Sequence, residues 1–214
     1  SDTYVIKTTS GTAAIVIVED DNRYGKNNYA AYYGIALDEN NYAFDCVASE
    51  AIQGNTIALS NYSIVIWFTG KDSNYGYNTF NSTEQSKVQA YLDAGGKLFV
   101  SGQEIAYELD YKNYGDTFYK NYFRAQYSVD DAGNSVSVIG TSGGIFNGIT
   151  FYIDGDNGVN EGGAYDATYP DGITAYNGST LCLSYSSGYG AGINYSGTYK
   201  LISFGFPFET ITTE

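Results

Sequence analysis

Continuous apolar runs alternate with amphipathic and polar stretches along the chain, and this alternation dictates most of what can be read from it. Ala13 to Val18 is an unbroken run, Ala-Ala-Ile-Val-Ile-Val, ending in Glu19-Asp20-Asp21-Asn22. A run with no polar face predicts a strand covered on both sides, as in a parallel sheet. From Tyr29 to Glu39, Tyr33, Ala36 and Leu37 recur at helical spacing, and Asn40-Asn41 closes the segment. Tyr42 to Val47 is then a second strand.

The plan repeats. Ile64-Val65-Ile66-Trp67-Phe68 is another buried run that breaks at Thr69-Gly70. Ser82-Thr83-Glu84-Gln85 has the pattern of a capping box, with Ser82 bonding forward and Gln85 reaching back. Val88, Tyr91 and Leu92 supply the apolar face of the helix it opens, and Gly95-Gly96 the left-handed stop. Lys97 to Val100 is the next strand.

Strand, helix, strand, helix, strand at this spacing predicts right-handed crossovers and an α/β fold: a mostly parallel sheet with helices on both faces. That part covers residues 12–128. Beyond Asp130 the chain turns to short β-like pieces punctuated by Gly, Asn and Asp, among them Gly148 to Ile153, Thr180 to Tyr185 and Tyr199 to Phe206. Tyr169-Pro170-Asp171-Gly172 reads as a turn. The Tyr- and Gly-rich stretch from Ser184 to Tyr199 suits a hairpin with aromatic cross-strand pairs. Residues 129–214 are expected to complete the sheet with added antiparallel strands, making 1–214 a single domain.

Charge narrows the partners. The chain carries 24 Asp and Glu against 10 Lys and Arg, a formal net charge of -14. Nucleic acid needs a basic patch, and an anionic membrane surface needs the same. No run approaches the roughly 20 apolar residues that span a bilayer. There is no methionine, so the chain reads as a processed product or an excised piece, which secretion would explain. Extracellular or cell-surface origin also suits the 24 Tyr and 26 Gly, and Asn-x-Ser/Thr sequons begin at Asn61, Asn81, Asn177 and Asn194. Such sequons also arise by chance in Asn- and Ser-rich chains. Cys46 and Cys182 either pair as one disulfide or remain two buried thiols.

The stretch Leu98-Phe99-Val100-Ser101-Gly102-Gln103-Glu104 has the form of a strand-to-helix elbow, which in several α/β hydrolase families carries the nucleophile. Here it offers Gln103, and the chain contains no histidine to serve as a base. Four segments, Ile15 to Asp21, Tyr62 to Gly70, Tyr91 to Ala106 and Leu201 to Glu209, together resemble the class I glutamine amidotransferase-like, flavodoxin-like domains attached to secreted bacterial and archaeal peptidases and surface proteins. The resemblance implies that fold. Catalytic members place a cysteine at the elbow with a distant histidine and a carboxylate, and Gln103 stands at or near the cysteine position, so the resemblance implies a domain that keeps the fold without that reaction.

In an open parallel sheet, ligands bind beyond the strand carboxyl ends at the switch point, which places Asp20, Asp21, Thr69, Gly70, Ser101, Gly102, Gln103 and Glu104 on the rim. Asp154, Asp156, Asn157 and Asp166 lie in or near an oxygen-rich stretch that reads either as a calcium loop of non-EF-hand type or as a plain Gly/Asn/Asp turn. Calcium is the one cofactor put forward. Zinc is disfavoured without histidine. The expectation from sequence is a non-catalytic accessory or interaction domain of a secreted multidomain protein, such as a peptidase, whose partners are its neighbouring domains or other extracellular proteins. Two alternatives stand beside it: a self-assembling extracellular subunit, and a carbohydrate-binding or carboxylate-dependent glycoside-active module.

Overall fold

The computed structural model describes residues 13–21, 28–71, 79–132, 137–154 and 162–212. Strand β1 (Ile15–Glu19) leads to helix α1 (Ala30–Glu39), then β2 (Phe44–Ala48), the short helix α2 (Ser49–Gln53), β3 (Ile64–Gly70), α3 (Ser82–Asp93) and β4 (Lys97–Gly102). These are the alternating elements that the apolar runs predict. After β4 come two π-helical turns, Tyr107–Tyr111 and Tyr119–Phe123, with the brief α4 (Asp116–Phe118) between them. Seven strands follow: β5 (Ala125–Val129), β6 (Ser137–Gly140), β7 (Thr150–Tyr152), β8 (Gly172–Ala175), β9 (Thr180–Tyr185), β10 (Gly190–Ser196) and β11 (Lys200–Phe204).

Nine strands form one sheet in the order β2-β1-β3-β4-β11-β10-β9-β6-β7. It is parallel from β2 to β11 and antiparallel from there to β7. The last strand is therefore an inner one: β11 lies between β4 and β10, with Leu201 opposite Leu98 and Ser203 opposite Val100. Strands β5 and β8 pair separately.

Successive strand residues point in opposite directions, and the clusters divide accordingly. Ile15, Ile17, Ile66 and Phe68 pack with Tyr33 and Leu37 of α1. Val16, Val18, Val65 and Trp67 pack with Ile52 of α2 and with Val88 and Leu92 of α3. A third cluster, including Leu183, Phe204 and Phe206, belongs to the antiparallel half.

Helix boundaries follow the local chemistry, with one shift. Asn41 takes a left-handed φ of 60° after α1, and Gly95 one of 87° after α3, as their residue types predict. The capping box is displaced by one residue from the sequence reading. Asn81, not Ser82, is the N-cap: its side chain accepts from the Thr83 and Glu84 amides, and the Glu84 carboxylate accepts the Asn81 amide at 2.8 Å. Asn wins because its carbonyl reaches both orphan amides of the first turn. The same side chain donates through Nδ2 to Gln53 Oε1 at 3.2 Å. The nitrogen of that sequon is thus committed to holding α3 against α2.

Cys46 and Cys182 are both free thiols. Cys46 is on β2 and Cys182 on β9, six strands apart in the sheet order, which at the usual strand spacing is about 29 Å. A disulfide needs Cα atoms within about 7 Å, so the pairing open in the sequence is not formed.

Two outcomes follow. Asn81→Ala should cost about 1 kcal/mol in urea unfolding while Ser82→Ala stays within about 0.5 kcal/mol; equal losses would restore the Ser82 cap. Thiol titration in denaturant without reductant should count two cysteines per chain, and a count of zero would show that they are bridged.

Candidate functional site

The chain leaves β1 for β2 on one side and later returns to β3 on the other, so the topological switch point of the sheet lies between the carboxyl ends of β1 and β3. The rim residues named from the sequence do converge on this edge, but they divide into those that brace it and those that line it. Asp20 braces: its carboxylate accepts from Ser49 Oγ at 2.6 Å and from Trp67 Nε1 at 3.0 Å, joining β1 to α2 and β3. Ser101 does the same for the other side. Its Oγ accepts the Phe208 amide at 2.6 Å and donates to the Phe206 carbonyl at 3.1 Å, fastening β4 to the chain that follows β11.

At the centre the backbones approach closely. A Cβ placed on Gly102 would fall 1.9 Å from Thr69 Oγ1, and one on Gly70, whose φ is 57°, 2.8 Å from the Asp21 carboxyl carbon. Only glycine fits at either point. The Gln103 amide donates to the Gly70 carbonyl at 3.2 Å, closing the gap between β3 and the elbow.

The elbow residue is Glu104, which corrects the sequence reading of Gln103. Glu104 has a left-handed φ of 65° and is 7% exposed. Its carbonyl accepts the Glu108 amide at 2.9 Å, so the helical turn begins at this residue. A side chain with a Cβ pays roughly 1–2 kcal/mol to sit in that region, and such outliers concentrate where a site needs them. Gln103, one residue earlier, is 3% exposed.

Sequence reasoning missed Asp171. The Tyr-Pro-Asp-Gly string reads as a solvent turn, yet Asp171 is fully buried beneath the elbow. Its Oδ2 accepts the Ala106 amide at 2.7 Å and the Tyr107 amide at 3.3 Å, and its own amide donates to the Gly205 carbonyl. Burial pushes its carboxyl well above the ordinary carboxylate range, the nearby Glu104 charge adds to this, and the two amides oppose it. Glu209 was missed as well. Fully buried after β11, it accepts from Tyr33 at 2.7 Å and from Tyr165 at 2.6 Å, and burial raises its pKa against those two hydroxyls. Its position at the end of the fourth resembling segment was the available signal, because β11 runs beside β4.

Three buried atoms at this edge, Thr69 Oγ1, Gln103 Oε1 and Asp171 Oδ1, have no hydrogen-bond partner among the described residues. Buried polar atoms are normally paired, so these three are exceptions that the fold alone leaves unexplained. Thiol chemistry has no place here. Burial pushes both Cys46 and Cys182 up to about 12, away from the reactive thiolate.

The remaining candidates are dispersed. Asp154 and Asp166 face each other across an isolated bridge, and Thr212 Oγ1 donates to Asp154 at 3.5 Å; Asp156 and Asn157 lie outside the described residues. Among the described residues no group of three acidic, Cys or His side chains is arranged to hold a metal. Asn61 and Asn177 are exposed, and Asn194 lies in β10 with its Oδ1 accepting from Thr180.

No family model matches the chain, and no curated protein does. Similar solved structures exist. A glutamine amidotransferase from Thermotoga maritima is 12% identical with a TM-score of 0.54, over 92% of this chain and 76% of that one. A cytoplasmic protein from Salmonella typhimurium is 12% identical at a TM-score of 0.55, over 89% and 86%. A glutamine amidotransferase from Methylobacillus flagellatus is 10% identical at 0.52, over 93% and 71%. These neighbours overturn the expected secreted or cell-surface accessory domain and its extracellular setting: two are glutamine amidotransferases and one is a cytoplasmic protein. The assembly and carbohydrate alternatives gain no support from them. At these identities the likeness is one of fold, and the chain has the class I glutamine amidotransferase-like fold.

Proposed function

We propose that the chain works through the elbow crevice, binding a small polar molecule there with Glu104 as its principal contact and without a covalent thioester step. The underlying arrangement is the three-layer, flavodoxin-like one in which the elbow stands at the top of an inner strand. The observation that carries the reading is Glu104 itself, a nearly buried carboxylate held at a left-handed φ of 65° where a nucleophile would sit. A glycine there would relieve the backbone, so the carboxylate is a cost to the fold that a site would explain. The cluster of unpartnered buried atoms on Thr69, Gln103 and Asp171 supports it. The acidic rim favours neutral or cationic, donor-bearing molecules over anions.

Glu104→Gly separates a site residue from a structural one. The variant should be at least as stable as the parent, by up to about 1 kcal/mol once strain relief is set against the added freedom of the unfolded chain. Calorimetry with ammonium, acetamide and L-glutamine should give binding to the parent that weakens more than about tenfold in the variant, a loss of roughly 1.4 kcal/mol. Destabilisation of the variant, unchanged affinity, or no binding by the parent would each overturn the reading.

A further inference from the structure

Asp171 reaches the elbow from the other half of the chain, on the segment that enters β8. Its two oxygens are treated differently. Oδ2 is saturated by the Ala106 and Tyr107 amides, two and three residues beyond Glu104, whereas Oδ1 has no partner among the described residues. A fully buried carboxylate with one bare oxygen is expensive, and the neutral acid is the cheaper form. We propose that Asp171 is the proton donor and Glu104 the proton acceptor of a two-carboxyl acid–base pair, with the Oδ1 proton of Asp171 presented to a ligand seated at the elbow. The proposal rests on the crevice being a ligand site, and it adds the chemistry done there.

Asp171, with one bare oxygen and no exposed surface, is the carboxyl that keeps its proton, and this gives it the donor role. Glu104 is slightly open to solvent at 7% exposure, and Asp171 is closed off completely. With a ligand bound, Glu104 gains an O–H bond as a C–H, N–H or O–H bond of the ligand breaks. Asp171 loses its O–H bond as an acceptor oxygen of the same ligand gains one. The ligand leaves as its tautomer, no atom is gained or lost, and proton exchange with solvent resets the pair. The substrate class is a small neutral or cationic molecule with a carbonyl-type oxygen near an acidic hydrogen. The charged and titratable groups that face Asp171 are Glu104, Asp130, Tyr119, Tyr127 and Tyr185, and no cation is among those identified.

Carbon-13 labelling of aspartate carboxyls reads Asp171 without ligand, free of overlap from the buried glutamates. One aspartate should stay protonated at a pH where the other aspartates have ionised. That signal should vanish in Asp171→Asn, whose amide oxygen still accepts the Ala106 and Tyr107 amides. In Glu104→Gln it should titrate lower by roughly one pH unit, with a smaller displacement in Asp130→Asn. The stability sign follows: a folded value above the unfolded one gives stability that is whole below the ordinary carboxylate value and is lost as pH rises through the folded value. The parent should therefore lose more Tm than Asp171→Asn does as pH rises above the ordinary carboxylate range. No neutral aspartate, or one indifferent to Glu104→Gln, would reduce Asp171 to a structural cap. Ligand affinity plays no part in this titration, so the crevice reading and the acid–base pair stand or fall separately.

Discussion

Burying carboxyl groups in a chain that has few cations to pair with them is the constraint to which most of the structure answers. Asp20, Glu84, Glu108, Asp171 and Glu209 are all nearly inaccessible, and the chain offers 10 Lys and Arg against 24 acids. Neutral donors do most of what ion pairs would do, with the Lys71 charge also acting on Glu209. Asp20 has Ser49 and Trp67, Glu84 has Gln53 and the Asn81 amide, Glu108 has the Thr79 amide, and Glu209 has two tyrosines. Such bonds are charge-assisted and stronger than neutral ones. The abundance of tyrosine acquires a physical role in this light, because Tyr62 and Tyr122 also donate to Asp45 and Asp93 while their rings pack.

That constraint also shapes the site. Neutral donors leave the pKa of a buried acid high where a lysine or arginine would have lowered it. The fold thereby raises the pKa of Asp171 and Glu209 by burial in a chain without a histidine. Elbow geometry then does the rest: Gly102 closes against Thr69 of β3 and Gly70 against Asp21 beyond β1, so Gln103 and Glu104 are the next side chains the chain presents after β4.

Much of this was legible in the sequence, for identifiable reasons. Runs such as Ile15 to Val18 and Ile64 to Phe68 have only one stable placement, inside a sheet covered on both sides, and the parallel half follows from them. That Asp20, Thr69 and Ser101 stand at strand carboxyl ends was legible because it depends only on where the apolar runs stop. Long-range pairing was not. Whether Ser82 or Asn81 caps α3 turns on which carbonyl reaches the amides, and both residue types are good caps. Asp171 was hidden because Tyr-Pro-Asp-Gly satisfies a turn rule locally, while its burial depends on Gly205, which is 34 residues away, and on Ala106, which is 65 away. The choice between Gln103 and Glu104 at the elbow needed a backbone angle that no residue pattern reports.

The position of β11 carries a consequence for how the molecule is made. The sheet cannot close until its last strand is available, since β11 supplies the partner of both β4 and β10. During synthesis the β2-β1-β3-β4 portion must wait, with the inner edge of β4 unpaired, for roughly 100 residues to emerge, some 5–20 s at ordinary elongation rates. An unpaired apolar edge is a template for pairing with other chains. Truncation near the C-terminus would be expected to expose that edge permanently, and so to produce aggregation rather than a smaller stable domain.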